Sequence, residues 1–260
     1  MEKTFILSVI EKGIMQIRLN RPDKFNSFNR EMAMQLQEAL DTAATDTTVR
    51  AVYLTANGKA FCAGQDLSEA INPDGPGIKR IVDEHYNPII RRIRHLQKPV
   101  VCAVNGVAAG AGANIALACD VVLAGLSASF IQAFSKIGLI PDSGGTFFLP
   151  RLVGFQRASA LMILGDKVSA TEAAEMGMIY KVFDDDKLEV EAFSLATTLS
   201  TMPTRGIALT KMLLNSSLNN ALDEQLKEEE RLQSEAGETY DYKEGVQAFL
   251  EKRKPVFKGA

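Results

Sequence analysis

A lone carboxylate between a proline and a pair of glycines is placed for one of two jobs. Asp142 holds that position in IGLIPDSGGTFFLPRLVG, Ile137 to Gly154. An Asp just ahead of a helix can cap it by accepting from backbone N–H groups two or three residues on. The same carboxylate, left free, can take and return protons as a general base. The pattern alone leaves both open. Two further segments bear on chemistry because they are built of small residues: AFCAGQDL, Ala60 to Leu67, and NGVAAGAGANIALACD, Asn105 to Asp120. Glycine and alanine let a ligand come close to backbone N–H groups, and the second segment leads into a helix start, whose positive dipole end favours negative charge. Two such junctions on adjacent parallel strands would aim two N–H donors at one oxygen, the arrangement that stabilises a developing enolate or tetrahedral oxyanion. The same small residues also serve close packing of a helix on a strand. GAGAN lacks the GxGxxG spacing and the later acid of a dinucleotide site.

Other reactive side chains are less well placed. His85 and His95 both lie in the polar stretch before PVVCAV, with no HExxH and no nucleophile, and read as surface or packing residues. Cys62, in FCAG, has no adjacent base and reads as a buried structural thiol. Asp66 and Asp120 read as turn or cap formers. The cysteines Cys62, Cys102 and Cys119 show no CxxC spacing and no paired histidines, so neither a metal site nor a disulfide frame is expected.

These groups need elements to position them, and the chain is long enough to supply them: 260 residues, 46% hydrophobic, can bury a sizeable core. A net charge of -3 provides no basic field for nucleic acid or an anionic membrane, which leaves small metabolites as partners. MEKTFILSVIEKG carries charges and no continuous apolar stretch, and no run reaches membrane-spanning length, so a cytoplasmic protein is expected. TFILSVI and IMQIRLN predict a hairpin ending at Arg21-Pro22. A helix is expected from Arg30 to about Ala44 on the spacing of Met32, Met34, Leu36 and Leu40, then a buried strand in VRAVYLT. PVVCAVNG, the Ala-rich AGANIALAC and DVVLAG predict strand, helix, strand, hence parallel pairing in an α/β architecture. Within residues 68–97, NPDGPG is expected to be a loop and IKRIVDEHYNPIIRRIRHL a helix interrupted near Pro88. Beyond Gly138 one strand is expected, in GMIYKVF, among helices that include a capped SATEAAEM and nearly all of Leu188 to Lys254.

Taken together, NRPDKFNSFN, AFCAGQDL, KPVVCAVNGVAAGAGANIALACDVVLA, SKIGLIPDSGGTFFLPRLVG and YKEGVQAFLEKRKPVFKG resemble the crotonase, or enoyl-CoA hydratase/isomerase, superfamily. The resemblance spans essentially the whole chain in family order. AGQDL, NGVAAGAGA and FSKIGLIPDSGGT are most similar to the isomerases that act on ring-epoxidised phenylacetyl-CoA in bacterial phenylacetate degradation.

The resemblance implies a ClpP-like spiral of ββα units over residues 1–198 and a helical C-terminal trimerisation region over 199–260, in a homotrimer or dimer of trimers. It implies an acyl-CoA thioester as substrate, with coenzyme A part of that substrate and no further cofactor. The family's oxyanion-hole amides fall on Gln65 and on Ala111, beside Gly110. The two glutamates of the hydratases fall on Asn114 and Phe134, neither of which can act as a base, so hydration is not expected. Asp142 matches the aspartate of the family's isomerases and is expected to shuttle the proton. Lys24, Phe25, Ala60 and Ala63 are expected along the coenzyme A, with Phe249 and Lys252 reaching its nucleotide. The implied reaction is isomerisation of the aryl epoxide to an oxepin-CoA, or movement of a 3,4 double bond to 2,3. A fatty-acid Δ3-Δ2-enoyl-CoA isomerase, a residual hydratase and a non-catalytic acyl-CoA-binding scaffold remain as alternatives.

Overall fold

Successive strand pairs are dealt to two different sheets, and this division closes the chain into a spiral. The computed structural model describes residues 4–260; residues 1–3, the start of the segment read as free of a targeting signal, lie outside the described residues. Strands β1 (Ile6–Glu11) and β2 (Ile14–Leu19) form the expected antiparallel hairpin. Helix α1 (Arg30–Thr45), capped by the Asn29 side chain on the Met32 N–H, returns the chain to β3 (Ala51–Ala56), parallel to β2. A short β4 (Ala60–Cys62) then leaves for a second sheet. The step recurs with β5 (Val100–Val104) and β6 (Val107–Ala109), and with β7 (Val121–Gly125) and β8 (Ser129–Ile131). With β9 (Lys167–Ser169) and β10 (Lys181–Phe183), the large sheet runs β1-β2-β3-β5-β7-β10 and the small one β4-β6-β8-β9. This is the ββα spiral that the sequence resemblance implies.

The middle strands of the large sheet are apolar on both faces because both are covered. Alternate residues serve alternate faces. Val52, Leu54, Val100, Cys102 and Val104 pack with Met32, Leu36 and Leu40 of α1, while Tyr53, Val101, Ala103 and Leu123 pack with Leu188, Ala192 and Ala196 of α9 (Asp185–Ser200).

The structure departs from the sequence reading at several points. The small sheet was not expected: β4, β6 and β8 are three residues each, too short to show a period, and β9 is a second strand beyond Gly138. The interruption expected near Pro88 takes the form of a change in winding: after α2 (Leu67–Ala70) and α3 (Gly77–Arg80), a π-helical stretch, Ile81–Tyr86, leads into α4 (Asn87–His95), and the Glu84 carbonyl, which a Pro88 N–H would have bonded, accepts from Gln37 Nε2 at 2.8 Å. Helix α5 (Ala111–Leu117) follows β6, and α6 (Gly145–Val153) and α7 (Phe155–Leu164) follow the Asp142 turn. In α8 (Ala170–Glu175) the Ser169 hydroxyl accepts from the Glu172 N–H at 3.2 Å while the Glu172 carboxylate accepts from the Ser169 N–H at 2.9 Å, a complete capping box.

The C-terminal helices are α10 (Thr204–Ser217), α11 (Leu222–Glu238) and α12 (Tyr240–Leu250). Asp120 is more than a turn former here. It accepts from the Val100 N–H at 2.8 Å and from Lys211 of α10 at 2.7 Å, and Lys211 also donates to the Ile93 carbonyl at 2.7 Å. Among the described residues no helix is long and apolar enough to cross a membrane.

Candidate active site

The small sheet, with β4, β6 and β8 parallel and adjacent, aligns the carboxyl ends of three strands. In α/β proteins that is the edge where ligands bind. The turn after β4 carries Ala63, Gly64 and Gln65, the turn after β6 carries Gly110 and Ala111, and the segment after β8 carries Gln132, Phe134 and Asp142. The two small-residue junctions thus lie on adjacent parallel strands as expected, but they follow β4 and β6, not the longer β3 and β5.

The first two turns touch. Gly64 has φ +93°, and a Cβ there would stand 3.0 Å from the Ala109 carbonyl oxygen and 3.7 Å from the Ala111 nitrogen. At Gly112 a Cβ would lie 2.5 Å from the Cys62 carbonyl oxygen, so α5 rests directly on the end of β4. Neighbouring amides of these turns are engaged: Phe28 N–H donates to Gly64, Asp66 N–H to Phe28 and Gly110 N–H to Ile131, at 2.7 to 2.8 Å. The Gln65 and Ala111 amides donate to no acceptor among the described residues. Two unspent donors on touching turns are what an oxyanion hole requires.

Asp142 is not a cap. Gly144, at φ +72°, precedes α6, and the Asp142 carboxylate takes its hydrogen bond from the Ser143 hydroxyl at 2.8 Å. The backbone turns sharply here, with buried Ser143 at φ +52°, a left-handed conformation uncommon outside glycine. Burial pushes the Asp142 carboxyl above its ordinary range, and the Ser143 hydroxyl only partly offsets this. The carboxylate therefore keeps a lone pair for a proton and has raised basicity. Tyr86 senses its charge: burial, then the charges of Cys62, Asp142 and Glu69, hold the phenol well above its usual range.

Phe134 is buried and faces the second turn, its ring 3.7 Å from where a Gly110 Cβ would be. Asn114 is buried under Gly145, where a Cβ would lie 2.4 Å from Asn114 Nδ2. Neither position offers a carboxylate. The other acids of these turns are occupied. Asp66 caps α2 through the Ser68 N–H at 3.0 Å and pairs with Arg21 at 2.7 Å; burial works against its ionisation, yet the Ser68 and Arg21 bonds hold it below the ordinary value. Glu69 accepts from Gln65 Nε2 at 2.8 Å and from the Arg30 N–H at 2.9 Å. Burial pushes the Cys62 thiol up to about 12, as befits a structural thiol and not a nucleophile. His95 is exposed and His85 is buried against Tyr86, so both histidines stay outside the chemistry.

Several contributors were missed in the sequence. The Tyr86 hydroxyl, Gln132 and Ser143 all reach the site through side chains that no pattern singles out. Asn26 carried a usable signal, since NSFN offers an asparagine where a left-handed residue is needed. At φ +54° it donates to the Asn57 and Ala60 carbonyls at 2.8 Å and accepts from the Arg21 N–H at 2.7 Å. With the Ala63 N–H on the Phe25 carbonyl at 3.0 Å, this brings Lys24, Phe25, Ala60 and Ala63 into one group beside the first turn. Phe249 and Lys252 lie elsewhere, at the end of α12, exposed and sharing no hydrogen bond with that group.

Known proteins resemble this chain along nearly its whole length. The pattern of the enoyl-CoA hydratase/isomerase family matches residues 9–260. The chain is 52% identical over 258 residues to the 1,2-epoxyphenylacetyl-CoA isomerase of Escherichia coli, covering 98% of both chains. It is 44% identical over 250 residues to the probable enoyl-CoA hydratase of Rhodobacter capsulatus, covering 96% of both. The solved structure of an enoyl-CoA hydratase from Bacillus anthracis superimposes with a TM-score of 0.92 at 33% identity, over 99% of this chain and 100% of that one.

Proposed function

The chain belongs to the enoyl-CoA hydratase/isomerase family, and on that footing we propose that it isomerises an acyl-CoA thioester, with 1,2-epoxyphenylacetyl-CoA as substrate and the oxepin-CoA as product. The observation that carries the reading is the site's acid inventory: one half-buried carboxylate, Asp142, bonded to the Ser143 hydroxyl, with an amide and a phenyl ring at Asn114 and Phe134. A hydratase must activate water and deliver a proton to carbon, two tasks for which this site has one group.

In this scheme the thioester carbonyl sits between the Gln65 and Ala111 N–H groups. Asp142 removes a proton from carbon and the electron pair moves onto the thioester oxygen as an enolate held by the two amides. In the epoxide substrate the bond between the two epoxide carbons opens, its electrons passing into ring double bonds as the ring expands to seven members with no leaving group, and Asp142 returns the proton to another carbon. Each donor would be worth roughly 3 to 4 kcal/mol in the transition state, and the base about a hundredfold to ten-thousandfold in rate. Phe134 keeps water from the enolate, as an isomerase needs. The same shuttle moves a 3,4 double bond to 2,3, and Asp142 alone is enough for that, which favours enoyl-CoA isomerisation as a second reading.

Lys24, Phe25, Ala60 and Ala63 would follow the pantetheine and adenine of the substrate, and Phe249 and Lys252 the nucleotide of a CoA bound to a neighbouring subunit. Coenzyme A would enter only as part of the substrate, with no other cofactor. A cytoplasmic homotrimer or dimer of trimers is supported by the reduced, buried cysteines and by large apolar side chains left at the surface, Ile140, Phe155 and Phe249 each 80 to 82% exposed. Residues 199–260 would form the trimerisation region, beginning in the last turn of α9.

The deciding experiment is a mass-spectrometric product assay with epoxyphenylacetyl-CoA and 3-enoyl-CoAs, run on the native protein and on Asp142→Asn. Conversion by the native protein alone is expected. No conversion of either substrate would leave only an acyl-CoA-binding scaffold, and undiminished turnover by Asp142→Asn would end the shuttle assignment.

A further inference from the structure

A chain of two side-chain amides runs through the core to the peptide that carries Asp142. Gln132, 5% exposed, donates from Nε2 to Asn114 Oδ1 at 2.7 Å, and Asn114, 1% exposed, donates from Nδ2 to the Asp142 carbonyl oxygen at 2.9 Å. The same carbonyl accepts from the Gly145 N–H at 2.9 Å, so the peptide is held from two sides. A carbonyl can only accept. That fixes the direction of the whole chain: Asn114 must turn its nitrogen to Asp142 and its oxygen to Gln132, and Gln132 must donate. Gln132 Oε1 is left buried without a partner among the described residues. Packing alone does not account for a buried amide that leaves its own oxygen unpaired.

The neighbouring residue holds the other half of the site. The Ile131 carbonyl accepts from the Gly110 N–H at 2.8 Å, one residue before Ala111. Two consecutive residues at the carboxyl end of β8 therefore tether the turn that bears Ala111 and the turn that bears Asp142.

We propose that Gln132 is a positioning residue which, through Asn114, sets the distance between the proton-carrying carboxylate of Asp142 and the oxyanion donor Ala111. The proposal rests on the isomerase reading above. It concerns the direction of a hydrogen bond, and that makes it separable from packing. Gln132→Glu keeps size and shape but reverses the polarity: ionised, the introduced carboxylate cannot donate and faces Asn114 Oδ1 with like charge. Protonated, its O–H donates as the amide did, and burial favours that form. The charged groups around it are Asp142 beyond Asn114, and Lys136, which with the Gln132 carbonyl lines the space beside Gly165.

The test compares native protein, Gln132→Glu and Gln132→Met across pH, with Asp142→Asn alongside and folding checked by circular dichroism. Gln132→Met is expected to lower kcat by about tenfold to a hundredfold, the scale of an ångström-sized misplacement, with KM little changed. Gln132→Glu is expected to lose as much at high pH and to recover as pH falls, so that its kcat relative to native declines with rising pH. Native kcat in either folded variant, or a pH-independent ratio for Gln132→Glu, would overturn the positioning role. If Gln132→Glu does not fold, the kcat-against-KM split of Gln132→Met decides alone. Persistent turnover in Asp142→Asn would overturn the shuttle reading instead, whatever Gln132 does.

Discussion

The Tyr86 hydroxyl, on a ring that is 1% exposed, donates to Gln65 Oε1 at 2.7 Å, while Gln65 Nε2 is held by Glu69 at 2.8 Å. The side chain of Gln65, whose backbone N–H is one of the two proposed oxyanion donors, is thus clamped at both ends. Tyr86→Phe removes one jaw and little volume. Stability should fall by about 1 kcal/mol. If the same amount falls on transition-state alignment, kcat drops roughly fivefold with KM unchanged. Steady-state kinetics with thermal melts would check this, and an unchanged kcat would show that the turn is held by its backbone alone.

Asp142 links activity to pH with a definite sign. Its folded-state affinity for protons is raised, so kcat should rise with pH through a midpoint above the usual aspartate range of about 4. Stability runs the other way. Below that range both folded and unfolded chains hold the proton and the group contributes nothing; as pH climbs towards the raised value the folded state binds more protons, and stability falls and then levels off. Asp142→Asn should therefore lose about a hundredfold to ten-thousandfold in kcat while melting at the native temperature or above it at neutral pH, with the difference vanishing in acid. Melting curves across pH test the sign.

Gly64 has no room for a side chain. Gly64→Ala sets a Cβ 3.0 Å from the Ala109 carbonyl at φ +93°. About 1 to 3 kcal/mol of destabilisation is expected from the backbone alone. Because the displaced partner is the turn bearing Ala111, turnover should fall even below the melting range, which kinetics at low temperature would detect.

Restoring a hydratase acid should not be simple. Asn114→Glu adds a methylene where even a Cβ on Gly145 would stand 2.4 Å from the present side chain, and it breaks the bond to the Asp142 carbonyl. Overpacking of this kind costs about 1 to 3 kcal/mol. The expected result is a lower melting temperature, reduced isomerase turnover and no hydration of crotonyl-CoA, even when combined with Phe134→Glu. Hydration by the double variant would show that the site can relax to admit both acids.

The sequence made the long elements legible and left the short ones hidden. The β3, β5 and β7 runs announce themselves because parallel strands covered on both faces must be apolar throughout. The strands that carry the turns have three residues each, and no period can be read from three. The two small-residue junctions were reachable because small residues mark a close approach, but Gln65 and Ala111 within them, and a proton-carrying role for Asp142, were implied only by the family resemblance. Whether Asp142 capped a helix was not decidable from pattern, since Asp before SGG suits both roles. The answer lies in Gly144 and Ser143, whose left-handed backbone starts α6 without it. Gln132 and Tyr86 were invisible: a hydrogen bond's direction, and a buried hydroxyl's partner, are properties of the folded arrangement.

The spiral also orders events in time. β2 finds its parallel neighbour only when Ala51 onwards is available, β3 only when Val100 onwards is, and β7 must wait for Lys181 to Phe183. Each turn of the spiral waits for a later one, so contacts are distant in sequence and folding should be slow, with bare strand edges along the way. On a ribosome the chain would wind from its start, and the edge of the small sheet would be completed in the order β4, β6, β8. Gln132, which completes it, and Asp142 follow one another closely in the chain, so the strand end and the peptide it tethers through Asn114 become available together and close as one step.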